Sequence, residues 1–276
     1  MTEQPRMDVC ADEGGQLVVR VRLPLPAPVR PRLMLQPRRR KGEPPRGGRI
    51  VALEPTDRYH WHGVLGTVPA LEEGRWDAYL VGASEEDRTP LLPGLRELRA
   101  LVAGGGDSRP APLSVRIPYV TKDGRLAIRA WHRARHAEAG RIVVTDGSIT
   151  VVARLFGTRL GDGAAVSLKS RGPDTVVQRI ALRPEGERDF SFTISCRELA
   201  AGGAEPEAGA APTVWDVYVH PSAGAPRIRV ARLLDDLADR KAVFVYPAAT
   251  HGEVTARPYY TVDNDLSLEV ASPSVP

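Results

Sequence analysis

Two histidines flank a tryptophan at a spacing that could bring both imidazoles to one face. His60 and His62 surround Trp61, and alternate residues of a β-strand point to the same side of the sheet. Such a pair can hold a metal ion when further ligands converge on it. Two solvent-facing histidines opposite a buried tryptophan explain the pattern equally simply. This second interpretation is favoured, because the matching residues of a repeat described below are Asp189 and Ser191.

Acidic residues near the end of the chain form a second candidate for cation binding. Asp263 and Asp265 surround Asn264, and hard cations prefer oxygen ligands of this kind. Turn chemistry explains the same residues, and Asp123 stands at the equivalent place in the repeat. We therefore predict a turn and expect neither a bound metal nor a cofactor. The weak metal candidates are His60, His62, Asp263 and Asp265.

A basic block between positions 30 and 49 carries much of the positive charge. It holds eight Lys and Arg side chains against one Glu, in a chain whose net charge is +4. Such a block attracts polyanions over long range. The alternative is a solvated loop. The polyanion-binding candidates are Arg38, Arg39, Arg40, Lys41, Arg46 and Arg49.

Three tyrosines beside prolines could stack on a sugar ring or a base. Tyr119 follows Pro118, and Tyr259 and Tyr260 follow Pro258. Aromatic side chains at such places also fill the core of a sandwich, and this interpretation is favoured. Tyr119, Tyr259 and Tyr260 remain the ligand-stacking candidates.

The sequence carries no catalytic signature. The glycine-rich stretches 104–106 and 157–163 lack the Lys-Ser/Thr ending of a phosphate-binding loop. Neither Cys10 nor Cys196 has the flanking pattern of a nucleophile, and no Gly-x-Ser-x-Gly elbow occurs. We predict no catalytic residue and favour a protein that is not an enzyme.

The chain repeats itself in four blocks. Residues 117–128 (IPYVTKDGRLAI) recur as 257–268 (RPYYTVDNDLSL), and residues 76–81 (WDAYLV) recur as 215–220 (WDVYVH). Residues 15–23 likewise parallel 147–155, and residues 59–61 parallel 190–192. The blocks keep the same order in both halves, which indicates an internal duplication.

The blocks have the pattern of β-strands joined by tight turns. Apolar and polar residues alternate in 17–23, which is typical of a strand with one buried face. Asp123-Gly124 predicts a hairpin with a type I′ turn, and Asp263-Asn264 supplies similar chemistry. Helical spacing is confined to 95–102 and 233–239. The predicted fold is all-β, with two tandem immunoglobulin- or fibronectin-like antiparallel β-sandwiches.

The repeat also predicts the boundaries of the domains. We expect a flexible tail over 1–13, the first sandwich over 14–131 and a linker over 132–140. The second sandwich is expected over 141–271, with a tail over 272–276. In the linker, His132 and His136 would share one face of a helical turn.

Composition and the N-terminal sequence predict where in the cell the protein is located. No apolar run approaches the roughly 18 residues of a membrane-spanning helix, and the N-terminal sequence lacks the pattern of a secretory signal. Cys10 and Cys196 are expected to be reduced thiols. We expect a cytoplasmic protein, with peripheral association at the inner membrane face as an alternative.

The two copies of the terminal hairpin, 117–129 and 257–268, carry a resemblance. They look like segments of β-sandwich domains that accompany glycosyltransferases and poly(glycerol phosphate) transferases in high-GC actinobacteria. The resemblance implies a link to the synthesis of a surface glycopolymer. It implies no transferase activity, because the chain contains no pattern of a nucleotide-sugar or CDP-glycerol catalytic domain.

Three functional hypotheses remain. The first is a non-catalytic binding or scaffolding module whose partner is a glycosyl- or glycerophosphotransferase, a glycopolymer or an anionic membrane surface. The second is a transferase or metal-assisted hydrolase with a site in the groove between the domains. The third is nucleic-acid binding through the basic block, which ranks last because that block lacks interleaved aromatic residues.

Overall fold

The structure is a computed structural model that describes residues 4–23, 30–39, 42, 47–103, 111–172, 175–201 and 211–271. The chain divides into two units. Unit 1 comprises residues 1–133 together with 234–238, and unit 2 comprises 134–233 together with 239–276. The regular secondary structure of both units is almost wholly β-strand, so the predicted all-β sandwich class is confirmed.

Unit 1 is built from two sheets. One sheet has the strand order β5-β6-β2-β1-β9, and the other has the order β10-β11-β7-β3-β4 with β8 added to β7. The elements are β1 Arg6–Ala11, β2 Leu17–Arg22, β3 Arg32–Pro37, β4 Arg49–Ala52, β5 Glu54–Pro55, β6 His60–Leu65, β7 Gly74–Val81, β8 Thr89–Pro90, β9 Leu92–Glu97, α1 Arg99–Ala103, β10 Leu113–Val120 and β11 Leu126–Arg133.

Unit 2 repeats this arrangement. Its first sheet has the order β16-β17-β13-β12-β19, and its second has the order β20-β21-β22-β18-β14-β15. The elements are β12 His136–Thr145, β13 Ser148–Phe156, β14 Ala165–Ser170, β15 Val177–Ile180, β16 Leu182–Pro184, β17 Asp189–Ser195, α2 Cys196–Leu199, β18 Thr213–His220, β19 Ile228–Ala231, β20 Ala249–His251, β21 Val254–Tyr260 and β22 Leu266–Ala271.

In each unit the chain passes from one sheet to the other at an equivalent place. In unit 2, β19 pairs antiparallel with β18 through Ile228 and Arg229, and then parallel with β12 through Val230 and Ala231. In unit 1 the same path is divided between β8, which pairs with β7, and β9, which runs parallel to β1. The two units therefore share even this irregular feature, as a duplication requires.

The cores follow the alternation seen in the sequence. Residues 17, 19, 21 and 23 are buried, whereas the intervening residues face outward. Trp76 and Trp215, the anchors of the repeated WD block, are 5% and 1% exposed. Their burial confirms that these tryptophans belong to the core, where large apolar side chains contribute most to stability.

Both terminal hairpins turn in the same way, but not as type I′. In each hairpin, a threonine carbonyl oxygen at the start of the turn accepts a hydrogen bond from the backbone N–H three residues later. Gly124 donates to Thr121, and Asn264 donates to Thr261. Only Gly124 and Asn264 have positive φ, at 72° and 63°. A type I′ turn needs two such residues, so the type I′ prediction is wrong. The longer loop with one left-handed residue explains why Gly and Asn stand at this position.

The strand register corrects one block of the repeat. Trp61 lies opposite Val21 in β2, and Phe190 lies opposite Ala153 in β13. Because Val21 and Ala153 are equivalent, Trp61 corresponds to Phe190. The alignment of 59–61 with 190–192 is therefore wrong by two residues.

Two predicted boundaries are also wrong. Residues 6–11 of the expected tail form β1, which pairs with β2 and β9 because Met7, Val9 and Ala11 alternate into the core. The expected linker 132–140 contains the end of β11 and the start of β12. His136 is fully buried in β12, and its Nε2 lies 2.7 Å from a carboxylate oxygen of Glu138, so the predicted helical turn is absent there.

Helices contribute little to the described structure. Residues 95–97 of the first predicted helix belong to β9, and only residues 99–103 form α1. The second predicted helix, 233–239, consists of bends. Among the described residues, no helix is long and apolar enough to cross a membrane.

Candidate functional site: a duplicated arginine, aspartate and tyrosine face

A row of four side chains crosses the second sheet of unit 2. Strand pairing places Lys169, Asp216, Ser267 and Tyr259 side by side on β14, β18, β22 and β21. Neighbours in such a row are close enough to interact directly. The row lies on the side of the sheet opposite the buried Trp215, so it forms part of the outer face of unit 2.

Unit 1 has an equivalent row, in which a glutamine and an alanine replace the lysine and the serine. Gln36, Asp77, Ala127 and Tyr119 occupy the equivalent positions on β3, β7, β11 and β10. The aspartate and the tyrosine are kept in both units. The lysine and the serine occur only in unit 2.

An arginine directly after the first strand of each row binds the aspartate. Arg38 Nε lies 2.8 and 2.9 Å from the two carboxylate oxygens of Asp77. Arg171 Nε and Nη2 lie 3.0 and 2.7 Å from Asp216 Oδ1. These hydrogen bonds raise the pKa of both guanidinium groups, against the opposing effect of partial burial. Each unit thus contains one charge-assisted Arg–Asp pair at the same place.

In unit 2 a second arginine and a serine converge on the aspartate. Arg229 Nη2 lies 2.6 Å from Asp216 Oδ1, and Ser267 Oγ donates to the same oxygen at 3.0 Å. Burial opposes ionisation of Asp216. The hydrogen bond from Arg171 and the charge of Arg229 outweigh that effect and hold the pKa of Asp216 below its usual value. The carboxylate is therefore a fixed anion that orders two guanidinium groups.

Aromatic rings lie beside these charges. Arg227 and Arg229 stand 4.5 and 5.0 Å from the ring centroid of Tyr218, and Lys241 stands 5.8 Å from that of Tyr259. Tyr259 is half-buried, and this burial raises the pKa of its hydroxyl group. Tyr259 is therefore a neutral ring, and cations lie near the rings of both tyrosines.

We define the unit 2 face as the set of residues formed by this row and its two arginines. Its members are Lys169, Arg171, Asp216, Arg229, Tyr259 and Ser267. Three cationic side chains surround one carboxylate within this set. The arrangement can bind an anionic group through guanidinium hydrogen bonds while an adjacent ring packs against a tyrosine.

The basic block is only partly described. Arg38 is bound to Asp77, Arg39 is exposed after β3, and Arg49 is half-buried in β4. Arg40, Lys41 and Arg46 lie outside the described residues. One of the six candidates thus takes part in an ion pair within unit 1.

The structure separates the three tyrosine candidates. Tyr260 is fully buried and packs edge-on against Phe244, with ring centroids 5.7 Å apart. It therefore has no face open to a ligand. Tyr119 and Tyr259 are half-buried members of the two rows.

The weak metal candidates are held by other partners. His60 Nδ1 lies 2.9 Å from the carboxylate of Asp57, and His62 Nδ1 lies 3.2 Å from the hydroxyl of Thr56. Asp263 and Asp265 belong to the hairpin turn, and Asp265 lies 3.6 Å from Arg229 Nε. Within the part of the chain that the structure describes, no group of three or more His, Cys, Asp or Glu side chains could hold a metal ion.

Sequence reasoning missed the arginines of the unit 2 face. The repeated aspartate after each tryptophan was visible, but Arg38 and Arg171 stand outside the four matched blocks. Three strands separate each of these arginines from its WD block along the chain, so no local pattern links them to the aspartate. Arg229 also lacks a counterpart in the repeat, because unit 1 has Pro90 at its position.

The chain matches no protein-family model and no curated protein. Among solved structures it is similar to TarS of S. aureus. The fragment TarS 217–571 aligns with a TM-score of 0.30 and 13% identity over 72% of this chain and 59% of that chain. A second TarS structure aligns with a TM-score of 0.29 and 14% identity over 71% of this chain and 37% of that chain. This chain thus spans less than two thirds of either structure.

Proposed function

We propose that the chain is a non-catalytic binding module for an anionic glycopolymer and that the unit 2 face is its binding site. The single observation that carries this proposal is the convergence of Arg171 and Arg229 on Asp216 beside Tyr259. Unit 1 keeps the aspartate, tyrosine and first arginine of this arrangement, so a weaker second site is expected there.

The chemistry of the face suits a polymer that alternates phosphate and sugar. Arginine binds phosphate oxygens through its fixed array of N–H donors. Asp216 holds both guanidinium groups in place before a ligand arrives, which reduces the entropy that binding costs. Tyr259 offers a neutral ring of limited mobility, against which the apolar side of a sugar can pack.

The resemblance of both terminal hairpins to domains that accompany glycosyl- and glycerophosphotransferases favours a surface glycopolymer as the ligand. A transferase of this class, acting at the inner membrane face, would be a natural partner. In this proposal the chain holds the polymer and the partner performs the chemistry.

The test is a calorimetric titration with a synthetic oligo(glycerol phosphate) that carries hexose substituents. The variants are Tyr259→Ala and Arg171→Gln in unit 2, with Tyr119→Ala and Arg38→Gln as matched controls in unit 1. We expect each unit 2 variant to weaken binding about tenfold, which corresponds to about 1.4 kcal/mol. The controls should change the affinity less than threefold.

Two further results would decide the question. Binding should weaken as salt rises, because phosphate contacts are screened. Equal losses from the unit 1 and unit 2 variants would contradict the assignment to unit 2. An absence of binding by the wild-type chain would contradict the proposed function itself.

A further inference from the structure

A cleft opens on one side of unit 2, away from the unit 2 face. Its volume is about 710 Å³, within the range of ligand pockets in proteins. One wall is the segment 178–183, which crosses from the second sheet to the first and which we call the strap. The opposite wall is the edge of β17 with the end of α2. The apolar lining includes the partly exposed Ile180 and Leu182, together with the buried Phe192, Ile194 and Leu199.

Both ends of the cleft are fixed by hydrogen bonds. At one end, β16 pairs with β17 from Pro184 opposite Phe190 to Leu182 opposite Phe192. At the other end, Gln178 Nε2 donates to the carbonyl oxygens of Glu198 and Leu199 at 3.3 and 3.2 Å. The strap is therefore tied down on both sides of an opening that it does not fill.

Two strand edges face this opening. The pairing of β16 with β17 stops at Phe192, so residues 193–195 pair only with β13 in the described structure. On the strap side, β15 pairs only with β14 among the described strands. Open strand edges offer alternating N–H donors and C=O acceptors, and another extended backbone is the ligand that matches this pattern.

Unit 1 shows the same elements in a closed arrangement. Gly63 occupies the position of Phe192, opposite the equivalent residue of the neighbouring strand. A Cβ atom on Gly63 would lie 2.7 Å from the carbonyl oxygen of Ala52 and 3.0 Å from Leu53 Cδ2, so the crossing segment lies directly against β6. Leu53 is accordingly only 7% exposed, whereas its counterpart Leu182 is partly exposed. A side chain such as that of Phe192 would therefore not fit at the position of Gly63 in unit 1.

The charged side chains of the cleft are Arg179 and Arg183 on the strap and Glu198 on the opposite wall. Arg179 and Arg183 alternate with the inward-facing Ile180 and Leu182, and both arginines are exposed. Neither forms an ion pair within the described residues. An acidic residue of a ligand could pair with either arginine.

We propose that this cleft binds an extended peptide segment of a partner protein, which adds a short strand to the free edge of β17. The segment carries apolar side chains at alternate positions, which pack on the partly exposed Ile180 and Leu182. Acidic side chains flank them and meet Arg179 and Arg183. This site is independent of the glycopolymer site on the outer sheet face.

The test is a selection of linear dodecapeptides from a random display library on the full chain, followed by anisotropy titration of the enriched peptides. Ala181 lines the cleft and is exposed, so Ala181→Trp blocks the opening without disturbing the core. Ala52→Trp is the matched control, because Ala52 is the exposed residue at the same position of unit 1.

We expect enriched peptides with alternating apolar residues and at least one acidic residue. Ala181→Trp should weaken their binding at least tenfold, and Ala52→Trp less than twofold. Bound peptide should also slow amide hydrogen exchange at residues 193–195. The proposal is overturned if no peptide is enriched, if Ala181→Trp binds as tightly as the wild type, or if residues 193–195 stay unprotected. None of these results depends on glycopolymer binding.

Discussion

The two units share one strand topology but differ at the positions that face outward or line an edge. The buried tryptophan, the hairpin turn and the Arg–Asp pair recur in both. Unit 2 has Arg229 and Ser267 where unit 1 has Pro90 and Ala127, and Phe192 where unit 1 has Gly63. After a duplication, the core must continue to pack, whereas outer positions are free to change. We propose that these differences mark the places where unit 2 acquired binding surfaces.

Unit 1 contains a different specialisation in its interior. Arg116 is 1% exposed and donates to the carbonyl oxygens of Gly15, Leu65 and Gly66. Burial lowers the pKa of its guanidinium group to about 10. The equivalent residue of unit 2 is the buried Ala256. Unit 1 thus joins its two sheets with a buried cation at this position, where unit 2 has a small apolar residue.

The largest expected effect comes from removing that cation. Arg116→Ala leaves three carbonyl groups without their donor and opens a cavity, so unit 1 should lose about 3 kcal/mol of unfolding free energy. Arg125→Ala, at an exposed arginine of the same hairpin, should cost less than about 0.5 kcal/mol. Urea unfolding followed by amide exchange in β10 measures both. A loss below about 1 kcal/mol for Arg116→Ala would show that the carbonyl groups find other donors.

The next effect compares the two aspartates. Asp216→Ala deprives the largely buried Arg229 of its nearest carboxylate and should cost about 2–3 kcal/mol. Asp77→Ala breaks a more exposed pair and should cost less than about 1 kcal/mol. Amide exchange in β18 and β7 reports each unit separately. Equal losses would mean that Arg229 adds nothing to the ion pair of unit 2.

A smaller effect tests the closed edge of unit 1. Gly63→Ala forces the new methyl group against the carbonyl oxygen of Ala52 and should cost about 1–3 kcal/mol. Gly66→Ala is the control, since its nearest neighbour would lie at an ordinary 3.6 Å. Thermal unfolding compares the two variants. Equal stability would show that the crossing segment of unit 1 moves aside freely.

The smallest effect is a dependence on pH. The pKa of Asp216 is lower in the folded chain than in the unfolded chain. Its contribution to stability is therefore complete above the unfolded pKa of about 4 and is lost as the pH falls through the folded value. In the variant Asp216→Asn, the free energy of unfolding should therefore fall less steeply as the pH is lowered from about 5. An unchanged profile would contradict the ion-pair account.

Much of the fold could be predicted because it depends on local patterns. The alternation in 17–23 and the repeated WD blocks were sufficient to predict the sandwich strands. The same reasoning missed β1, although Met7, Val9 and Ala11 alternate in the same way, because residues 1–13 were assigned to a tail. It also misjudged the turns, since Asp-Gly fits both a two-residue and a longer hairpin loop.

The site was less accessible to sequence reasoning because it depends on the pairing of distant strands. Tyr259 was a candidate, but Asp216, Arg171 and Arg229 meet it only through the register of four strands. Phe192 lines the cleft, and strand register pairs it in the repeat with Gly63, two residues away from the predicted partner Trp61. Contacts of this kind follow from strand register, which a pattern within one strand does not specify.

The most direct test of the account is amide hydrogen exchange of the full chain with and without the substituted oligo(glycerol phosphate). We predict slower exchange in β18, β21 and β22 of unit 2, and little change in β7, β10 and β11 of unit 1. Protection confined to unit 1, or equal in the two units, would contradict the claim that the unit 2 face is the binding site.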